Sequence, residues 1–160
     1  MHEQTSPFQK TANILREEFP YYVGRKFTTK QNGICHYCAL GYLAKKNGLP
    51  DWVLRLGFYE FIYPILRNHG FSNYQLNIDR WCPVGDCRLV TDITRLIGHM
   101  NMTHKLSKET IASHIENMEF DKRPVPPTWK LVLDGMMPFL KLVKKPESKY
   151  ITCDSFSINQ

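Results

Sequence analysis

The chain has 160 residues, 42% of them hydrophobic, and a formal net charge of +6 at neutral pH. This length can bury a core without cross-links, and no stretch approaches the roughly 18 consecutive apolar residues of a membrane span, so a small disulfide-stabilised domain and a membrane protein are excluded as classes. The five cysteines are an odd number, and we expect a reduced, cytoplasmic protein in which they are thiols or metal ligands.

The first third of the chain predicts helices separated by one extended segment. Gln9 to Phe19 carries apolar residues at helical spacing and ends before Pro20. Residues 21–33 contain aromatic and β-branched residues and end in Asn-Gly, which favours a short β-hairpin. Cys35 to Asn47 predicts a helix whose small residues allow another element to approach closely.

Further along, the pattern stays mainly helical. Phe58 to Asn68 is apolar but interrupted by Pro64, which predicts either two abutting helices or one kinked helix. Residues 71–80 are polar and predict irregular structure. Helices are predicted again over residues 92–100 and after Ser107, a typical N-cap residue. The fold class expected is therefore a mainly α, small helical domain.

The composition changes near residue 121. We predict a helical domain over residues 1–120, with a zinc-finger-like element at residues 81–105. Residues 121–160 are predicted to be a Pro-containing linker followed by a basic C-terminal extension. The basic residues towards this end are Lys122, Arg123, Lys130, Lys141, Lys144 and Lys145. They could follow a phosphate backbone or form an ordinary solvated surface.

Four residues near the middle of the chain have the spacing of metal ligands. Cys82 and Cys87 flank a turn containing proline and glycine, and His99 and His104 follow at the end of a predicted helix. Zinc in structural sites takes four such ligands in a tetrahedron. The sequence therefore predicts a structural Zn²⁺ site at these four residues, against the alternative that they are ordinary loop thiols and surface histidines.

This stretch resembles a Cys-Cys-His-His zinc finger. The resemblance extends to the small core of a finger, whose two apolar positions before the first histidine are occupied here by Val90 and Leu96. The eleven residues between the second cysteine and the first histidine are one fewer than the usual twelve. Asp92, Thr94 and Arg95 do not form a clear set of base-contacting residues on the helix.

Two other cysteines leave alternatives open. Cys35 and Cys38 form a CxxC pair that could join Cys82 and Cys87 in a four-cysteine metal site. A cysteine near a helix N-terminus can also act as a nucleophile, so a thiol-dependent hydrolase using Cys35 or Cys38 with His99 is a further hypothesis. Cys153 is expected to be a thiol without a role.

Two phrases are similar to uncharacterised short bacterial and phage proteins. One is the CALGYLA run that begins at Cys38, and the other is LIGHMNMTHKLSKETIASHIE, which contains His99, His104 and Ser107. The resemblance implies a small, mainly helical architecture in which both phrases pack in one domain. It implies no catalytic or binding residue.

The expected function is that of a zinc-binding, non-enzymatic binding or adaptor protein. Its net positive charge would suit nucleic acid as a partner, and the aromatic run from Trp52 to Tyr63 could either stack on bases or belong to the core. An alternative is a regulatory or anti-defence protein of a mobile element, which would act through protein contacts. No membrane partner is expected.

Overall fold

The computed structural model describes residues 5–125. Within them are seven α-helices, two two-stranded antiparallel sheets and one 3-10 turn. The helices are α1 (Pro7–Arg16), α2 (Ala39–Lys46), α3 (Asp51–Leu54), α4 (Ile62–Asn68), α5 (Asn73–Asn77), α6 (Ile93–Met102) and α7 (Lys108–Met118). The strands are β1 (Thr28–Gln31), β2 (Ile34–Tyr37), β3 (Arg80–Trp81) and β4 (Val90–Thr91), and the 3-10 turn is Tyr59–Phe61.

The mainly α fold class is confirmed for this part of the chain. None of the helices in residues 5–125 is both long enough and apolar enough to cross a membrane. From residue 126 onwards, the predicted linker and basic extension, together with Cys153, lie outside the described residues. The boundary at residue 120 stays a prediction.

The predicted hairpin is present, but it extends further along the chain than residue 33. Asn32 and Gly33 form its turn with φ values of 50° and 82°, as a two-residue turn with both central residues at positive φ requires. The second strand pairs with β1 as far as Tyr37, which lies opposite Thr28. The helix that was predicted to begin at Cys35 begins at Ala39 instead, because Cys35 and the two residues after it belong to β2.

The long helices at the two ends of the described domain pack against each other. The buried face of α1 includes Ala12 and Leu15, and that of α7 includes Ile111 and Ile115; all four are fully buried. An apolar side chain of the size of leucine contributes roughly 1.5–3 kcal/mol on full burial, so these faces account for the pairing. An ion pair between Arg16 of α1 and Glu116 of α7 adds little, because both side chains are partly exposed.

Helix α2 lies at the centre of the domain and contacts α1, α4 and α6. Gly41 on this helix faces the backbone of Phe27, just before β1. A Cβ atom at Gly41 would lie 1.8 Å from the carbonyl oxygen of Phe27. This contact explains why small residues on this helix permit a close approach: the backbone that leads into the hairpin passes directly over Gly41.

Replacing Gly41 by alanine is expected to destabilise the fold by about 2 kcal/mol, measured by urea denaturation. In an open helix interior the same change would stabilise by about 1 kcal/mol, because alanine is the better helix former. The matched control is Gly98→Ala on α6. Its new Cβ would lie 2.9 Å from the hydroxyl of Tyr59, and this neighbour is a side chain that can move, unlike the backbone of Phe27. A stabilised Gly41→Ala variant would contradict the close packing of hairpin and helix.

Two local predictions need correction or resolution. Residues 71–80 were predicted to be irregular, yet they contain α5, which begins with a capping box: the Ser72 hydroxyl accepts from the Gln75 N–H and the Gln75 side chain accepts from the Ser72 N–H. The Ser-x-x-Gln spacing is the signal that could have predicted it.

For the segment around Pro64, the structure shows two abutting helices rather than one kinked helix. A 3-10 turn leads into α4. The proline lies in the first turn of α4, where its missing N–H is not needed for a helical hydrogen bond.

A buried histidine joins three helices of this core. His69 follows α4; its Nδ1 lies 2.8 Å from the Thr11 hydroxyl of α1, and its Nε2 lies 3.1 Å from the side-chain amide of Asn47, which follows α2. Because the amide donates, Nε2 must accept, and the ring proton is on Nδ1, which donates to Thr11. Burial, together with the nearby Lys10 charge, lowers the pKa of His69 to about 4. The ring is therefore neutral in the folded protein at neutral pH.

Candidate metal centre

The first half of the site is a turn held by a two-residue ladder. β3 and β4 pair with Trp81 opposite Val90, and the Cys82 N–H donates to the Leu89 carbonyl at 2.8 Å. Within the turn, the Cys87 N–H donates to the Val84 carbonyl at 3.0 Å, and Gly85 has a φ of +48°. This left-handed conformation favours glycine. The reversal brings the two cysteines to one side of the turn.

The second half of the site is the C-terminal end of α6. Asp92 caps the helix start by accepting from the Arg95 N–H at 3.1 Å. His99 lies in the last turn, and the Thr103 N–H donates to the His99 carbonyl at 2.9 Å as the helix ends. Lys105 then adopts a φ of +54°, which turns the chain back. His104 precedes this turn and so stays beside the helix end.

The structure brings the four predicted ligands together. The Cys87 Sγ lies 3.3 Å from the His99 Nε2, and the Cys82 Sγ lies 3.5 Å from the His104 Nε2. One ligand atom from each of the four lies within 4.8 Å of every other. The two imidazole rings are perpendicular, with an interplanar angle of 89°. Among residues 5–125 this is the only group of three or more cysteine, histidine or acidic residues so arranged.

The donor set and spacing fit a tetrahedral metal ion. With metal–sulfur bonds of about 2.3 Å and metal–nitrogen bonds of about 2.0–2.1 Å, a sulfur and a nitrogen ligand are separated by roughly 3.6 Å. The two measured sulfur–nitrogen distances, 3.5 and 3.3 Å, are close to that value. Two thiolates also cancel the charge of a divalent cation, so the occupied centre would be neutral and could be buried at low cost.

Burial sets the protonation of these groups before any metal binds. Burial raises the pKa of the fully buried Cys82 thiol, and contact with Cys87 raises it further. Burial also lowers the pKa of His99, with the neighbouring His104 contributing in the same direction. The imidazole is therefore biased towards the neutral form that can donate electrons to a metal, whereas the Cys82 thiol must lose its proton on binding.

A buried asparagine fixes the helix end between the two histidines. The Asn101 side-chain amide donates to the hydroxyl of Tyr21, and that hydroxyl donates to the Leu106 carbonyl at 2.8 Å. Asn101 is 1% exposed, so these bonds are shielded from water. The network ties the end of α6 and the following turn to the segment before β1. Sequence reasoning missed this role, and nothing in the local pattern around Asn101 signals it.

The structure places Cys35 and Cys38 outside the four-residue group. Cys38 caps α2, and its Sγ accepts from the Gly41 N–H at 3.3 Å. Burial raises the pKa of Cys38 to about 11, the opposite of what a nucleophilic thiol needs. Cys35 lies on β2 with its Sγ 3.7 Å from the Asp51 carboxylate. The hypothesised four-cysteine site and the pairing of these thiols with His99 thus have no support in this geometry.

No family model, curated protein or solved structure matches this chain. What the site can do therefore follows from its own geometry. Of the ten residues of α6 only Arg95 is exposed, while Thr94, one of the helix positions weighed for base contact, is fully buried. The helix presents almost no free face, so it belongs to the core rather than to a surface that could enter a DNA groove.

Proposed function

We propose that this protein is a zinc-stabilised, non-enzymatic binding protein in which Cys82, Cys87, His99 and His104 hold a structural Zn²⁺. The observation that carries the proposal is the convergence of two thiols and two imidazoles within 4.8 Å of one another. Two sulfur and two nitrogen donors favour zinc over magnesium or calcium, which prefer oxygen ligands. The β3–β4–α6 order, with ligands on the turn and at the helix end, supports the resemblance to a zinc finger.

A role in binding rather than catalysis is supported by the number of protein ligands. A catalytic zinc keeps one coordination position for water or substrate, whereas four protein ligands close the shell. The metal would hold the turn after β3 against the end of α6. Without the metal, the two-residue pairing of β3 with β4 holds this turn only weakly. The net charge of +6 favours an anionic partner, and we propose nucleic acid as that partner class.

The test is the metal content of the purified full chain. We expect one zinc per chain in the wild-type protein, and less than about a tenth of that in a Cys82→Ser variant, because loss of one of four ligands weakens a structural site severely. Cys35→Ser is the matched control, since it removes a thiol outside the group, and it should keep full loading. Wild-type protein that binds no zinc after reconstitution, or a Cys35→Ser variant that loses it, would refute the assignment.

A further inference from the structure

Three basic residues line a second site, a cavity of about 250 Å³ between the β1–β2 hairpin and the end of α3. Lys26 precedes the hairpin by two residues, Lys30 lies on β1, and Arg55 directly follows α3. Thr28, Thr29 and Cys35 complete the lining. Among the described residues no carboxylate lines the cavity, so the charge that they contribute to it is wholly positive.

The cavity is built by a defined contact between the hairpin and α3. Lys30 lies directly opposite Cys35 in the ladder, and the Cys35 thiol reaches the Asp51 carboxylate at the start of α3. The Asp51 carboxylate also accepts from the Tyr37 hydroxyl at 3.1 Å and from the Lys45 ammonium at 2.9 Å. Its charge is thus already compensated. Arg55 lies one turn further on, with its N–H donating to the Asp51 carbonyl.

The three basic side chains have no acidic partner in the part of the chain that the structure describes. Across residues 5–125, none of the salt bridges within 4.0 Å involves Lys26, Lys30 or Arg55. A larger cavity of about 400 Å³ near α7 contains Arg80 and Arg123, but the acidic residues Asp79, Glu119 and Asp121 line it as well. Like charges held together without counterions repel one another, and an anion between them relieves that repulsion. Phosphate-bearing ligands fit this arrangement.

An exposed tryptophan lies beside this cavity. The side chain of Trp52 on α3 is three residues before Arg55, so the two are neighbours on one helical face. Trp52 is 67% exposed and Leu56, the next residue on that side, is 52% exposed. The aromatic run was predicted to be either core or a stacking surface, and this part of it is not in the core. A free indole next to a phosphate site is typical of surfaces that stack unpaired bases.

We propose that Trp52 and the cavity formed by Lys26, Lys30 and Arg55 bind single-stranded nucleic acid, with phosphates in the cavity and a base stacked on the indole. This inference rests on the proposed function and names the surface that performs it. A single strand is favoured over a duplex because the bases of a duplex are stacked on one another and cannot lie on an isolated tryptophan. The sequence signal for this face was the aromatic run that begins at Trp52, whereas Lys26, Lys30 and Arg55 were not singled out from the sequence.

The experiment measures binding of fluorescein-labelled oligothymidylate and oligouridylate to the zinc-loaded full chain by anisotropy, at several salt concentrations. The variant Lys26→Gln/Lys30→Gln/Arg55→Gln should bind at least about tenfold more weakly near 0.1 M salt, and its salt slope should fall by about two, at roughly 0.7 for each lost phosphate contact. The matched control Lys10→Gln/Arg67→Gln/Lys122→Gln removes the same charge outside the cavity and should bind within about twofold of wild type.

A second variant tests stacking separately from charge. Trp52→Ala should weaken binding by about tenfold and leave the salt slope unchanged, because stacking is sequence-tolerant and largely independent of salt. Since all four side chains are exposed, these variants should keep their zinc content and melting temperature. Those two measurements separate a failure of this surface from a failure of the zinc assignment.

Several outcomes would overturn the inference. Equal loss of binding in the cavity variant and its matched control would show that only net charge matters. Unchanged binding in the cavity variant would place the interface elsewhere on the chain. Binding of duplex DNA or of polyglutamate as tight as that of the single strands would exclude base stacking as a contribution.

Discussion

Removing the metal is expected to lower the free energy of unfolding by about 4 kcal/mol and the melting temperature by roughly 15 °C. A ligand present at about a thousand times its dissociation constant, and bound only by the folded state, stabilises by that amount. The loss should be large here because Cys82 and Cys87 are held near α6 by little else. Their turn is anchored by the two-residue pairing of β3 with β4 and by the Cys82 N–H bond to Leu89.

The measurement is thermal unfolding of the full chain with and without a strong chelator, followed by restoration with zinc. The double variant Cys82→Ser/Cys87→Ser is the control, and its lower melting temperature should not respond to the chelator. Hydrogen exchange should locate the change. The amides of Cys82 and Thr103 should lose protection first, because their hydrogen bonds lie in the two segments that carry the candidate ligands. A chelator effect of equal size in the double variant would show that the stabilising metal lies elsewhere.

The second large effect is expected on acidification: the titration of His69 alone should lower the free energy of unfolding by about 3 kcal/mol. In the folded protein the pKa of His69 is lowered from 6.5 to about 4, whereas the unfolded chain keeps the ordinary value. Between these two pKa values the unfolded state takes up a proton that the folded state does not. The contribution of His69 to the free energy of unfolding is therefore constant above pH 6.5. It falls as the pH decreases from about 6.5 to 4, and it is constant again below pH 4. The loss is about 1.4 kcal/mol for each pH unit within it.

The measurement is urea denaturation of wild type and His69→Gln over this pH range. The glutamine amide can still donate to Thr11 and accept from Asn47 but does not titrate. His69→Gln should cost about 1 kcal/mol near pH 7.5 through imperfect geometry. The difference in the free energy of unfolding should change sign near pH 6, and the variant should be the more stable protein by about 1.5 kcal/mol at pH 4.5. Metal release and the titration of other histidines affect both proteins alike and cancel in the difference. Parallel pH profiles for the two proteins would refute the neutral, buried state of His69.

The candidate metal centre could be predicted from the sequence because its four residues are close along the chain. Cys82, Cys87, His99 and His104 lie in one short stretch, and a turn followed by a capped helix is sufficient to bring them together. The capping residues Asp92 and Ser107 and the Asn-Gly turn at residues 32 and 33 were predictable for the same reason. Each acts through hydrogen bonds or backbone conformations within a few residues of itself.

Tertiary structure alone decided the features that depend on distant partners. Pairing with β1 made Cys35 a strand residue rather than a helical one, and burial made Cys38 a capping thiol. Packing around α6 made it a core helix in which only Arg95 is exposed, although the sequence predicts a finger-like set of ligands that includes His99 on this helix. The pKa of His69 is lowered by burial among the packed helices and by the charge of Lys10 on α1.

The basic cavity also combines features that the sequence shows with features that only the tertiary structure decides. Lys26 and Lys30 are close in sequence, but Arg55 reaches them only because Cys35 and Tyr37 of the hairpin contact Asp51 at the start of α3. By itself, the sequence determined the helical class, the cap at Ser107 and the set of candidate metal ligands, since these depend on spacing along the chain. Only the fold determined which charges remain unpaired and which aromatic side chains face water, because both depend on what packs against them.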